Sequence, residues 1–162
     1  TKGEKESELE DLQKSLSLAK KKYKINGIIT GAIFSTYQRD RIEKACDQVG
    51  LKVFSPLWHK PQELEMQELL ANGFKFILTG IAAEGLDGNW LGKEIDQNAL
   101  IQLKKITEKN GMNLAFEGGE AESLVLDCPL FKKKIEIVKS EKVMDSSCSG
   151  RLVVKKAKLV EK

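Results

Sequence analysis

Short apolar runs alternate with stretches of helical period, and this alternation restricts the fold more than any other feature of the chain. "INGIIT" (25–30) follows a segment whose Leu9, Leu12, Leu16 and Ala19 share one helical face. Ser7-x-x-Glu10 is a capping-box pattern at the start of that segment, and Lys20–Lys22 close it where cations suit the helix dipole. "LKVFSP" (51–56) follows a second helical segment. That segment opens at Ser35-x-x-Gln38, carries Ile42, Ala45, Cys46 and Val49 on one face, and stops at Gly50. Helix, strand, helix, strand is part of a parallel α/β sheet, and "INGIIT" reads as a fully buried strand of it. Two strands are too few for a doubly wound layer, so the chain reads as entering a sheet midway, with further strands upstream.

The second half follows a different plan. Pro61 marks a helix start, with Leu64, Leu69 and Leu70 on the helix and Asn72-Gly73 at its end. "FKFILTGIA" (74–82) is an apolar strand, and "AEGLDGNWLG" (83–92) is a Gly-rich, mostly polar loop long enough to be functional. Asp96 caps a helix carrying Leu100, Leu103 and Ile106, which stops at Asn110-Gly111. Residues 133–144 and 151–160 read as two strands joined by "DSSCSG".

At 162 residues the chain suits one domain or two small ones, and 41% hydrophobic with 31% charged residues is a globular composition. The 27 basic and 24 acidic residues are too evenly matched to imply nucleic-acid binding, so no nucleic acid is expected as a partner. One histidine and three scattered cysteines, Cys46, Cys128 and Cys148, supply neither a zinc pattern nor a disulfide framework. A reducing, cytoplasmic setting is the expectation. No apolar run reaches membrane-spanning length, and no signal-peptide pattern precedes the first helix.

Two patches could carry chemistry. "FEGGEAESLVLDCPLF" (116–131) sets Glu117, Glu120 and Glu122 around Gly118-Gly119. Such carboxylates can meet a cation, a magnesium ion or a proton, and the glycines permit a tight turn. An ordinary polar turn before a strand fits the same spacing. "TGAIFSTYQRDRIE" (30–43) places Gly31 and Ala32 at the carboxyl end of a parallel strand, where open α/β sheets bind ligands. Gln38, Arg39 and Arg41 lie in the first turns of the following helix, where basic side chains oppose the dipole and suit an anion instead. Surface charge on a covering helix is the plain alternative. Trp58 and Trp90 could supply aromatic walls for a quaternary ammonium, although aromatics in such loops are more often core. His59 beside Trp58 reads as structural, and Cys128 reads as packed.

Three segments, "GAIFSTYQRDRIEKACDQVGLKVFSPLW" (31–58), "AAEGLDGNWLGKEID" (82–96) and "EGGEAESLVLDCPLFKK" (117–133), resemble the archaeal diphthine-ammonia ligase family. This family belongs to the N-type ATP pyrophosphatase superfamily, and the resemblance covers nearly the whole chain. It implies a partial Rossmann-like (adenine nucleotide alpha hydrolase-like) parallel sheet, about residues 1–60, followed by a smaller α+β substrate domain, about 61–162. It also implies ATP-dependent amidation of diphthine on translation elongation factor two, with ATP, magnesium and ammonia as small-molecule participants. Gly31, Ala32 and Gln38 would then lie at the nucleotide, with Arg39 and Arg41 near its phosphates or the substrate. Trp58, Trp90, Gly118 and Gly119 would bind substrate, Glu117, Glu120 and Glu122 would be catalytic, and no residue is assigned to a metal. The oligomeric state is left open, a homodimer included.

The chain departs from the family pattern in several places. No SGGKDS-type phosphate loop occurs; the resemblance starts just before "TKGEKE" (1–6), and this chain alone is not expected to cleave ATP. Ala121 and Ser123 stand where many members have an aromatic and a threonine, and Phe116 stands where glycine is frequent. A tRNA-thiolating relative would be expected to carry a catalytic cysteine pair or a basic tRNA face. A non-catalytic module that binds the elongation factor is the remaining alternative.

Overall fold

The computed structural model describes residues 7–162, so the Ser7 side chain and the segment 1–6 named above lie outside the described residues. The chain divides into two compact units, one ending at Lys60 and one spanning Pro61–Lys162.

In the first unit, α1 (Ser7–Tyr23) and α2 (Thr36–Val49) pack beside β1 (Gly27–Ile29) and β2 (Lys52–Phe54). The two strands pair in parallel, with Ile28 opposite Val53 and Ile29 opposite Phe54. Leu16 of α1, Ala45 and Cys46 of α2, and Leu51 form the buried centre; Leu12, Ile42, Val49, Ile28 and Val53 pack around it. Of the helical faces read from the periodicity, Leu12 and Leu16 of α1 and all of Ile42, Ala45, Cys46 and Val49 of α2 belong to this cluster. Ser35 caps α2 by accepting the Gln38 N–H at 3.3 Å, and Gly50 ends it in the left-handed conformation. The fully buried strand expected at 25–30 is instead a three-residue strand packed on one face only. Side chains alternate across a strand, so Ile28 turns inward while Ile29 and Phe54 stay 74% and 64% exposed.

The second unit contains α3 (Gln62–Ala71), β3 (Lys75–Ala82), α4 (Gln97–Asn110), β4 (Ala121–Asp127), β5 (Lys134–Met144) and β6 (Ser149–Val160). Its four strands form one antiparallel sheet in the order β4-β3-β6-β5. α4 buries Ala99, Leu100 and Leu103 against β3, whose Phe76, Ile77, Leu78 and Ile81 are nearly inaccessible. Asp96 caps α4 by accepting the Ala99 N–H at 2.7 Å. On α3 the buried residue is Met66, flanked by Leu69 and Leu70, whereas Leu64 is exposed. Positions two apart do not share a helical face, which separates Leu64 from Met66.

The segment 83–92 is not an open polar loop. Leu86, Trp90 and Leu91 are all buried, the Gly92 N–H donates to the Leu78 carbonyl at 2.8 Å, and Leu91 bridges to Leu78. Three large apolar side chains among small polar ones suffice to fasten it to the sheet.

Candidate active site

The acidic segment joins α4 to β4. Gly111, at φ 70°, ends α4, and buried Met112 and Leu114 then anchor the chain to the core. Between them Asn113 faces Gln62 at the start of α3. The Gln62 amide donates to Asn113 Oδ1 at 3.2 Å and accepts the Ala115 N–H at 3.1 Å. Two turns follow, with the Phe116 N–H on the Asn113 carbonyl and the Gly119 N–H on the Phe116 carbonyl.

Glu120 closes this loop on itself. Its Oε1 accepts the Asn113 N–H at 2.9 Å and the Asn113 side-chain amide at 2.6 Å, and its Oε2 accepts the Gly118 N–H at 2.8 Å. The Glu120 carbonyl accepts the Ala82 N–H at 2.7 Å, which ties the loop to β3. Partial burial pushes the Glu120 carboxyl up. The hydrogen bonds from the Asn113 N–H, its own N–H, the Asn113 amide and the Gly118 N–H outweigh burial, and the group is held below its ordinary value. A carboxylate so engaged holds the loop in shape and is a weakened proton acceptor.

The two glycines serve different needs. A Cβ at Gly118 would lie 2.6 Å from Glu120 Oε1 and 3.0 Å from Asn113 Nδ2, so Gly118 makes room for the clamp. Gly119 has open space around it but adopts φ 84°, which side chains resist. Phe116 is also left-handed, at φ 62°, at the position where the resembled family often has glycine. Phe116→Gly is therefore expected to be more stable than Phe116→Ala by about 1 kcal/mol, because alanine keeps the left-handed strain and glycine removes it. Urea denaturation of both variants checks this; an alanine variant as stable as the glycine one would refute it.

Among the described residues neither Glu117 nor Glu122 makes a side-chain hydrogen bond or ion pair, and both are exposed. The three glutamates thus separate into one clamp and two available carboxylates. Asn113 and Gln62 are the partners that spacing did not disclose. Their signal is weak: an amide just after a helix-stop Asn-Gly, and an amide just after Pro61.

Trp90 is 6% exposed and belongs to the core of the second unit. The Lys93 ammonium sits 4.3 Å from its ring centroid. Trp90 therefore presents no open wall to a ligand.

The other sequence-derived residues lie in the first unit. Gly31 follows β1 with no atom near the place a Cβ would occupy, and Ala32 is buried, its N–H 3.4 Å from Thr30 Oγ1. At the start of α2 the Thr36 and Gln38 amides are already spent on the Phe34 carbonyl and Ser35 Oγ. The Gln38 side chain is exposed. Arg39 lies 4.5 Å from the Trp58 ring centroid and pairs with Glu43 at 3.1 Å. Arg41 lies over Tyr37 at 4.7 Å and faces Glu8 at 3.8 Å. Trp58 stacks on His59, which stacks on Phe34. The cation–π partner of Trp58 is thus an arginine of its own unit, and the lone histidine is one layer of a stack.

A family model described as diphthamide synthase C-terminal domain matches residues 61–160, and one described as diphthamide synthase N-terminal domain matches residues 1–53. The chain belongs to the diphthamide synthase family. Relatives called diphthine--ammonia ligase include the Mus musculus protein, 43% identical over 141 residues, which is 86% of this chain and 52% of that protein. The Homo sapiens protein is 43% identical over 143 residues, with the same two shares. The Schizosaccharomyces pombe protein is 45% identical over 125 residues, 76% of this chain and 20% of its own length. The chain therefore spans about half the length of its mammalian relatives. The mixed α/β architecture agrees with a partial Rossmann-like unit followed by a small α+β unit. Among the described residues no helix is long and apolar enough to cross a membrane.

Proposed function

We propose that the protein carrying this sequence amidates the diphthine carboxylate of translation elongation factor two, using ATP and ammonia. The observation that carries this reading is the clamped acidic loop, in a family whose relatives bear the name diphthine--ammonia ligase. The carboxylate attacks the α-phosphate of ATP, forms an acyl-adenylate and releases pyrophosphate. Ammonia then attacks the acyl carbon and AMP leaves. Only neutral ammonia is a nucleophile, and its nitrogen becomes acidic as the C–N bond forms, so an available carboxylate beside the acyl carbon can accept the proton it sheds. Glu117 and Glu122 are exposed and uncommitted; Glu120 fixes the turn that carries Glu117, the carboxylate assigned to the proton, and the pairing of β4 with β3 fixes Glu122.

The first unit is assigned the nucleotide, at Gly31, Ala32 and Gln38, because β1 ends there and the space beside Gly31 is open. Arg39 and Arg41 could turn toward the phosphates only by leaving their aromatic and carboxylate partners. The second unit is assigned the diphthine side chain. Among the described residues no three His, Cys, Asp or Glu side chains converge to hold a metal. Magnesium is accordingly assigned to the ATP phosphates and water, an arrangement this ion favours. A translation factor as substrate places the protein in the cytoplasm.

The test combines diphthine-bearing elongation factor, ATP and ammonium with the protein carrying this sequence. AMP and pyrophosphate are expected in equal amounts, and only when the modified factor is present. ADP and phosphate as products, or cleavage indifferent to diphthine, would refute the reading.

A further inference from the structure

Three neighbouring strands set Glu122 of β4, Gly80 of β3 and Arg151 of β6 in one row. Cross-strand partners project to the same side of a sheet, and Ile81, the next residue of β3, is buried on the other side. The row therefore faces outward. A Cβ at Gly80 would meet Cβ, Cγ and Oε2 of Glu122 at 3.3 Å, so the glutamate leans over the bare glycine. Exposed Ala82 extends this floor, and Gly119 of the acidic loop forms part of the wall of a cleft of about 210 Å³.

Strands lie about 4.8 Å apart, which leaves the Glu122 and Arg151 backbones roughly 10 Å from each other with no side chain between them. No ion pair joins the two among the described residues. Arg151 has one carboxylate neighbour, Asp145, at 3.4 Å, which leaves most of its five donors available.

We infer that this cleft reads a betaine group, a quaternary ammonium and a carboxylate on one carbon, with Glu122 facing the ammonium and Arg151 the carboxylate. The identity of the ligand rests on the amidation reading; the cleft itself does not. A lone cation would leave Arg151 unanswered, and a lone anion would leave Glu122 unanswered. A trimethylammonium has no N–H to donate, so it needs a facing charge and an apolar floor, and Gly80 and Ala82 supply that floor. Arginine meets a carboxylate through two parallel N–H donors, a contact that a neutral amide cannot repeat. Arg151 thus makes the site favour the unreacted acid over its amide. It is the specificity-determining residue, and it lies outside the acidic motif.

The test titrates the isotope-labelled chain with N,N,N-trimethylnorvaline, with its primary amide, and with the acid carrying tert-butyl in place of trimethylammonium. Amide resonances of Gly80, Ala82 and Gly119 are expected to shift. The primary amide should bind about tenfold more weakly than the betaine, the size of one charge-assisted contact. Arg151→Gln should make the acid and the primary amide equal. Glu122→Gln should instead remove the preference for trimethylammonium over tert-butyl. Both side chains are exposed, and the unchanged remainder of the amide spectrum verifies folding. Equal binding of acid and amide by the unaltered chain, or shifts located away from this row, overturns the inference. An amidation rate indifferent to Arg151→Gln overturns it too, while leaving the amidation reading in place. Betaine binding with both charge dependences, in a protein that forms no amide, upholds the cleft and removes the amidation reading.

Discussion

Glu120→Ala is expected to lower diphthine amidation by about a hundredfold, the effect of displacing a reacting group by roughly an ångström. The substitution removes the acceptor of three N–H groups and leaves the Asn113 and Gly118 amides without their partner. Each unpaired group costs about 1–3 kcal/mol where water cannot replace the bond, and less at the exposed end of the loop. Glu120→Gln should fall between the two forms. Its oxygen can still accept from Asn113, but its NH2 would then face the Gly118 N–H, donor against donor. ATP binding should be unaffected by either change, because the proposed function assigns the nucleotide to the first unit. The clamp also has a pH signature. Its folded pKa lies below the ordinary 4.5, so its contribution to stability is present above that value and is lost as pH falls through the folded pKa. The difference in stability between the natural protein and Glu120→Ala should therefore shrink on acidification. A difference that stays constant down to pH 2, or an alanine variant with full activity, would show that the clamp has no such role.

Trp90→Ala is expected to destabilise the second unit by about 3–5 kcal/mol, the usual cost of truncating a large buried aromatic. Such a loss is a sizeable fraction of a domain's total stability. Chemical denaturation followed by circular dichroism measures it. If the variant retains binding, charged and neutral ligands should be weakened alike, because the ring packs in the core and Lys93 already occupies a position over it. A selective loss for the trimethylammonium ligand with stability unchanged would mean that Trp90 is a ligand wall after all.

The elements of this fold were legible where local chemistry decides them. Ser35 and Asp96 as caps, Gly50 and Gly111 as stops, and the apolar stripes of α2 and α4 all follow from short-range rules. The arrangement of the sheet was not, because pairing joins distant segments. β3 lies between β4 and β6, and nothing local in "FKFILTGIA" tells which strands will flank it. The same limit governed the site. The crowd of carboxylates at 117–122 was visible, yet their separation into a clamp and two available groups depends on Asn113 of the same loop, whose side chain is held by Gln62, 51 residues away in sequence. Arg151 is not legible in the sequence for a like reason. It lies 29 residues beyond Glu122 in sequence and meets its row only through β3. The loop 83–92 misled because its polar and glycine residues outnumber the three apolar ones that fasten it.

In the proposed reaction the protein carrying this sequence forms the amide of diphthine with nitrogen from free ammonia. The most direct measurement supplies ¹⁵N-ammonium and ATP with diphthine-bearing elongation factor two, then locates the label by mass spectrometry of the modified peptide. One ¹⁵N atom is expected in the diphthine side chain, dependent on ATP and absent from a factor bearing unmodified histidine. A diphthine peptide that remains an unlabelled acid, while the protein is folded and ATP is present, would contradict it.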